Sequence, residues 1–123
     1  MRVLADTHVL LWWLADDPNL SPEHRRVLAD RRNDVHFSAV SVAEVAIKAS
    51  LGKLEAPEGM AEVLVEGRFA PVDLTAEHAE RLRHLPWHHR DPFDRMIVAQ
   101  AQVEGMTVAT VDPAFRDYDV PTV

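Results

Sequence analysis

Apolar positions fall in short blocks, and the blocks alternate between two kinds. Val3-Leu4-Ala5 is a run without polar alternation, bounded by Asp6 and Thr7, as expected of a strand buried on both faces. Val9 to Leu14, rich in leucine and tryptophan, predicts a helix with Asp6 or Thr7 as its cap. Asp16-Asp17-Pro18-Asn19 marks a turn. Ser21-Pro22 then opens a polar helix that carries Val27 and Leu28 and ends near Asn33. Val35 to Val40 predicts the next strand, and Ser41-Val42-Ala43-Glu44 has capping-box form, opening a helix toward Gly52. Pro57 precedes a helix from Met60 to Glu66 that Gly67 stops. Phe69-Ala70-Pro71-Val72 predicts a short edge strand, because proline cannot donate to a central ladder. Thr75 caps a helix with apolar Ala79, Leu82 and Leu85, ended by Pro86. Asp91-Pro92-Phe93-Asp94 is the clearest helix start: a cap, a proline at the first position and an acid in the first turn. Phe93, Ile97 and Ala101 line its apolar stripe, with Met96 and Val103 beside it, and Gly105 ends it. Thr107 to Val111 predicts the last strand, after which Asp112-Pro113 turns the chain away.

Strands alternating with helices imply a three-layer α/β/α fold around a central, mainly parallel sheet. No repeat, low-complexity tract or linker interrupts it, so residues 1–123 are expected to form a single domain. A chain of 123 residues, 47% hydrophobic, buries a core without staples. The absence of cysteine excludes a disulfide framework, a thiolate nucleophile and Cys-ligated zinc. Val3 to Leu14 is too short to span a bilayer, carries Asp6 and His8, and lacks the marks of a targeting signal. A cytoplasmic protein with no membrane partner is expected. Thirteen basic against 20 acidic side chains give a net charge of −7, which excludes a simple polybasic module. A phosphate-bearing substrate would need a local basic patch or bound cations.

In open parallel sheets, ligands bind beyond the carboxyl ends of the strands. Asp6 follows the first strand and Asp112 the last, while Glu44 and Asp94 sit in the first turns of helices that begin at that edge. Each also has a plain structural reading: Asp6 as a helix cap, Glu44 as a capping-box acid, Asp94 as a dipole partner, Asp112 as a turn residue. Brought together, carboxylates repel until a proton or a cation relieves them. Hard oxygen donors suit Mg²⁺ or Mn²⁺, and such ions support phosphodiester hydrolysis without a protein nucleophile.

Leu4-Ala5-Asp6-Thr7-His8-Val9-Leu10-Leu11-Trp12 resembles the opening of PIN-domain ribonucleases of the VapC toxin type. Ser38 to Lys48 resembles their second acidic motif, and His89-Arg90-Asp91-Pro92-Phe93-Asp94-Arg95, continuing to Ala101, their third and most specific one. Thr110-Val111-Asp112 resembles the fourth, and the motifs stand in family order over nearly the whole chain. The resemblance implies a three-layer PIN-like domain and an endoribonuclease toxin using Mg²⁺ or Mn²⁺. It also implies a homodimer held inactive by a cognate VapB-type antitoxin. By position, Asp6, Glu44, Asp94 and Asp112 become the acidic quartet, with Asp6 and Asp94 as direct metal ligands. Glu44 and Asp112 complete the site directly or through water. Thr110 is a candidate for orienting a water or ligand, although a threonine also suits a strand. Ala43 stands where many relatives of this branch carry a large aromatic. Asp91 is a competing acid, which its proline and the apolar register assign to the cap.

Lys48 is either an i, i+4 partner of Glu44, worth about 0.2–0.5 kcal/mol, or a phosphate contact at the rim. Arg95 has the same two readings. His84, His88 and His89 suggest zinc, but Pro86 breaks the helix and no HExxH register exists; a solvated loop touching RNA or a partner is expected instead. Arg25, Arg26, Arg31 and Arg32 suit a solvated face or an RNA backbone. Trp12 and Trp13 cannot both face inward on one helix, so one is expected in the core and one near the surface. A phospho-accepting receiver domain shares the length and class, but Asp6 is followed by Thr7 and His8, and no lysine follows Lys53. A binding subunit whose acids meet a partner's arginines stays open as the alternative.

Overall fold

The chain enters as a strand, β1 (Arg2–Ala5), and every later element is placed relative to it in the computed structural model, which describes residues 1–123. Helices α1 (Thr7–Leu14) and α2 (Pro22–Ala29) follow, then β2 (Asp34–Ser38), α3 (Ala39–Ser50) and α4 (Met60–Glu66). The second half runs β3 (Ala70–Val72), α5 (Ala76–Arg81), α6 (Pro92–Glu104) and β4 (Thr107–Ala109). Short 3-10 turns occupy Leu82–His84 and Pro113–Asp117. The four strands form one wholly parallel sheet in the order β3-β2-β1-β4. Winding therefore proceeds to one side of β1 through β2 and β3, then reverses to place β4 on the other side.

The alternation hidden in β1 explains the layers. Val3 and Ala5 face one core with Val35, Phe37, Val9, Leu10, Leu28 and Leu64. Leu4 faces the other with Val108, Ile97, Val98, Phe115 and Tyr118. Helices α1, α2 and α4 cover the first face and α6 the second, with α5 packed against α6, while α3 contributes Val45 to one core and Val40 to the other. No helix is long and apolar enough to cross a membrane.

Most starts fall where side-chain chemistry puts them. Ser21, Thr75 and Asp91 accept hydrogen bonds from the opening turns of α2, α5 and α6. Gly105 ends α6 at φ 66°, in the left-handed region that glycine enters without strain. Four local differences have clear causes. The second strand stops at Ser38, not Val40, because the Ser38 hydroxyl accepts from Val40 N and donates to Gln100 at 2.5 Å. Ser38, rather than Ser41, thus caps α3, and Glu44 lies in its second turn. Helix α2 ends at Ala29, where Asp30 turns back onto Arg32. The fourth strand ends at Ala109, since Thr110 is already engaged by Asp112 N. Trp12 and Trp13 are both half-buried, packed on the first core from its edge, with Trp13 tilted on Phe69 at 5.6 Å.

Candidate active site

The site is built by strand register. Ala5 pairs with Phe37 on one side and Ala109 on the other, so Asp6, Ser38 and Thr110 leave the sheet side by side. This is the carboxyl edge, at the point where the winding reverses, which in open parallel sheets is where a crevice forms. Asp6 is buried and both its oxygens are engaged: Oδ1 accepts from Val9 N at 2.9 Å and Oδ2 from the Thr110 hydroxyl. The Thr110 oxygen in turn accepts from Asp112 N at 3.0 Å. One hydroxyl thereby fixes the spacing of two acids that lie 106 residues apart in the numbering, from Asp6 to Asp112.

Glu44 reaches the crevice from α3, which Thr7 ties to α1 by donating to Ser41 at 2.9 Å. Its Oε2 takes the Lys48 ammonium at 2.5 Å, the i, i+4 ion pair that helix spacing allows. Its Oε1 is buried and has no hydrogen-bond partner. The Lys48 ammonium holds its proton above the ordinary lysine range, first through the bond to Glu44 and partly through Asp91 and Asp94.

Asp91 caps α6, accepting from Phe93 N at 2.9 Å and Asp94 N at 3.4 Å. This frees the Asp94 carboxylate to face the crevice. Burial first, then the charge of Asp91, and further on Glu44 and Asp6, push the Asp94 carboxyl up to about 7 against the pull of His89. Burial likewise raises the Asp6 carboxyl, against the hydrogen bond from Thr110.

The tightest grouping contains a residue that the acid pattern does not single out. His89 Nε2 lies 3.1 Å from Asp94 Oδ2 and 3.3 Å from Asp112 Oδ2, and the ligand atoms of these three residues all fall within 4.8 Å. His89 Nδ1 accepts from Asp91 N at 3.1 Å, so the ring carries its proton on Nε2, which donates to Asp112 Oδ2 and lies close to Asp94. Asp6 and Glu44 stand outside this set, drawn off by Thr110 and Lys48, and act on Asp94 through space. The sequence presents His89 only as the first residue of the third motif and as one of three histidines expected in a solvated loop; instead, its place two residues before the α6 cap brings it against Asp94 and Asp112.

Arg95 does not join the site. Its guanidinium is buried and donates to Pro86 O at 2.7 Å, Leu85 O at 3.4 Å, Leu82 O at 3.5 Å and the Tyr118 hydroxyl at 3.2 Å. Neither a rim ion pair nor a phosphate contact describes it: it pins the segment before α6.

No curated protein matches the chain by sequence. Solved structures match by fold. A chain of VapBC2 from Rickettsia felis, bound to a DNA fragment from their promoter, superposes with a TM-score of 0.74 at 16% identity, covering 100% of this chain and 98% of that one. DNA-bound VapBC from Salmonella typhimurium gives 0.70 at 21% identity, covering 100% and 97%. FitAcB from Neisseria gonorrhoeae gives 0.61 at 23% identity, covering 98% and 95%. The model of the PIN domain matches residues 3–121, a span that takes in every strand but for Arg2 of β1 and all of the acids gathered at the carboxyl edge. The chain belongs to the PIN-domain family.

Proposed function

We propose that this chain is a metal-dependent endoribonuclease toxin of the VapC type, working as a single PIN-like domain, and as a homodimer, in the cytoplasm. A VapB-type antitoxin is the partner that the reading implies, and the structural neighbours, which are VapBC and FitAB assemblies, support it. The observation that carries the reading is uncompensated negative charge. Glu44 Oε1 is buried without a partner, close enough to Asp94 to help drive its carboxyl up to about 7. Lys48 and His89 are the only cationic or proton-donating side chains in ion-pair contact with Glu44, Asp94 and Asp112, so the residues present fit a divalent cation. Mg²⁺ or Mn²⁺ suits this oxygen-rich set.

Asp94 and Asp6 would be the direct ligands, with Glu44 and Asp112 completing the site. When bound, such an ion supplies water activation and stabilisation of the leaving oxygen in phosphodiester hydrolysis. The chain's own contribution is placement. Thr110 holds Asp6 and Asp112 at fixed spacing, Lys48 orients Glu44, and His89 steadies Asp94 against Asp112. The α6 cap keeps Asp91 occupied with backbone, so that it does not compete for the ion.

Cleavage of total RNA with Mg²⁺ or Mn²⁺, stopped by EDTA, is the expected result. Equal cleavage in EDTA, or none with any divalent ion, would overturn the reading. Thr110→Val removes the shared hydroxyl and is expected to weaken Mn²⁺ binding by about 10–100-fold with the fold intact, measured by titration calorimetry beside circular dichroism.

A further inference from the structure

Between α5 and α6 the chain carries a feature that the acidic site does not use. Trp87 is the most solvent-exposed large apolar side chain, at 77%. Its ring is not loose: the Arg95 guanidinium lies 3.7 Å from the ring centroid, and Arg95 is itself anchored by the carbonyls of Leu82, Leu85 and Pro86 and by Tyr118. Tyr118 also accepts from His89 N at 2.9 Å and meets the His88 ring edge-on at 5.1 Å. One face of the indole is therefore clamped, and the ring stays largely open to solvent, held by a segment fastened at several points. The contact with Arg95 repays one face of the indole, and the other face stays in water.

Charge and position say what it suits. Residues 81–90 contain Arg81, Arg83, Arg90 and three histidines and no acid, in a chain whose net charge is −7. Arg83, Arg90 and Met96 line a cleft of about 360 Å³ beside the ring. The segment leads directly into the site: His89, two residues on, touches Asp94 and Asp112. Two residues of chain span at most about 7 Å, so the Trp87 backbone lies no farther than that from the backbone of His89.

We propose that Trp87, clamped on Arg95 and flanked by Arg83 and Arg90, is a stacking platform for an unpaired base of single-stranded RNA whose backbone continues into the acidic crevice. Every base offers a π face, so the platform selects for single strands over duplexes rather than for a sequence. Arg90, together with Arg83, which shares its charge with Glu80 at 3.1 Å, supplies local backbone attraction on a chain of net negative charge. The proposal rests on the nuclease reading for the identity of the strand, and its test separates the two.

Binding of a short, labelled, adenosine-rich RNA is measured by fluorescence anisotropy in EDTA, where no cleavage is expected, against a duplex of the same sequence. Trp87→Ala is expected to weaken single-strand binding by about 10–100-fold and to leave duplex binding unchanged. Trp87→Leu, which still covers Arg95 but has no π face, should behave like Trp87→Ala. Trp87→Phe should restore most of the affinity while losing the quenching of tryptophan emission that RNA produces in the parent chain. Single-strand affinity unchanged in Trp87→Leu overturns the proposal, as does an equal loss for the duplex. A change in sedimenting mass without a change in RNA affinity overturns it as well, assigning the face to a second copy of the chain. A chain that binds RNA through Trp87 yet never cleaves it leaves the platform standing and removes the nuclease reading. Cleavage that is indifferent to Trp87 does the reverse.

Discussion

Asp94→Asn is expected to lower RNA cleavage by at least about 10²–10³-fold, the scale on which one preorganised charged or polar group acts at a reacting centre. The same substitution is expected to stabilise the metal-free protein at alkaline pH. Burial and the neighbouring Asp91, Glu44 and Asp6 push the folded Asp94 carboxyl up to about 7, whereas in the unfolded chain it titrates near 3.9. Between those values the folded state holds a proton that the unfolded state has released. Stability from this group is therefore whole below about pH 4, declines as pH rises, and is gone above about pH 7. Asparagine keeps the shape of the protonated acid at every pH. The variant should match the parent near pH 4 and exceed it by on the order of 1–3 kcal/mol at pH 8, read from urea denaturation in EDTA. Mn²⁺ should then raise the melting temperature of the parent far more than that of the variant. Parallel stability profiles for the two proteins would show that Asp94 does not carry the strained charge.

Arg95→Ala is expected to cost about 3 kcal/mol or more, roughly 10 °C in melting temperature, which places it with the severest single substitutions. The guanidinium is buried, and none of its partners is a carboxylate: the carbonyls of Pro86, Leu85 and Leu82 and the Tyr118 hydroxyl take its protons. Removing it orphans those acceptors together, uncovers one face of Trp87, and frees the segment that positions His89. Lysine does not substitute, because a single ammonium cannot fork to divergent carbonyls and stack beneath an indole at once. Thermal melts of Arg95→Ala and Arg95→Lys check this, and a melting temperature within a degree or two of the parent in either would contradict it. Arg95 had two readings in the sequence, an ion pair with its neighbour or a phosphate contact, and the fold adopts neither. Position 95 lies one residue past Asp94 on a helix, about 100° around the axis, so the two side chains cannot serve the same crevice.

That geometry separates what was legible in the chain from what was not. Local chemistry was readable wherever a single side chain acts on its own backbone. Ser21-Pro22, Thr75 and Asp91-Pro92 mark helix starts because their oxygens meet orphan amides two or three residues on. The apolar run at Val3-Leu4-Ala5 announced a central strand, and its neighbours on both sides confirm it. The capping-box pattern at Ser41 belongs to a true helix but does not mark its cap. Its form depends on residue types alone, and Ser38 wins because Gln100, 62 residues away, reaches it across the fold.

The sequence by itself determined the alternation of strands and helices, most of their caps, and four acids placed to arrive at one sheet edge. These follow from interactions within a turn or two of chain. Only the tertiary structure decided that β4 returns beside β1, so that Thr110 bonds Asp6 and spaces it from Asp112. Only it decided that His89 lies between Asp94 and Asp112, and that Arg95 turns away to hold Trp87. Each of those contacts joins groups whose meeting depends on strand order and helix rotation, and a charge or a ring has no direction until the backbone on which it stands has been packed.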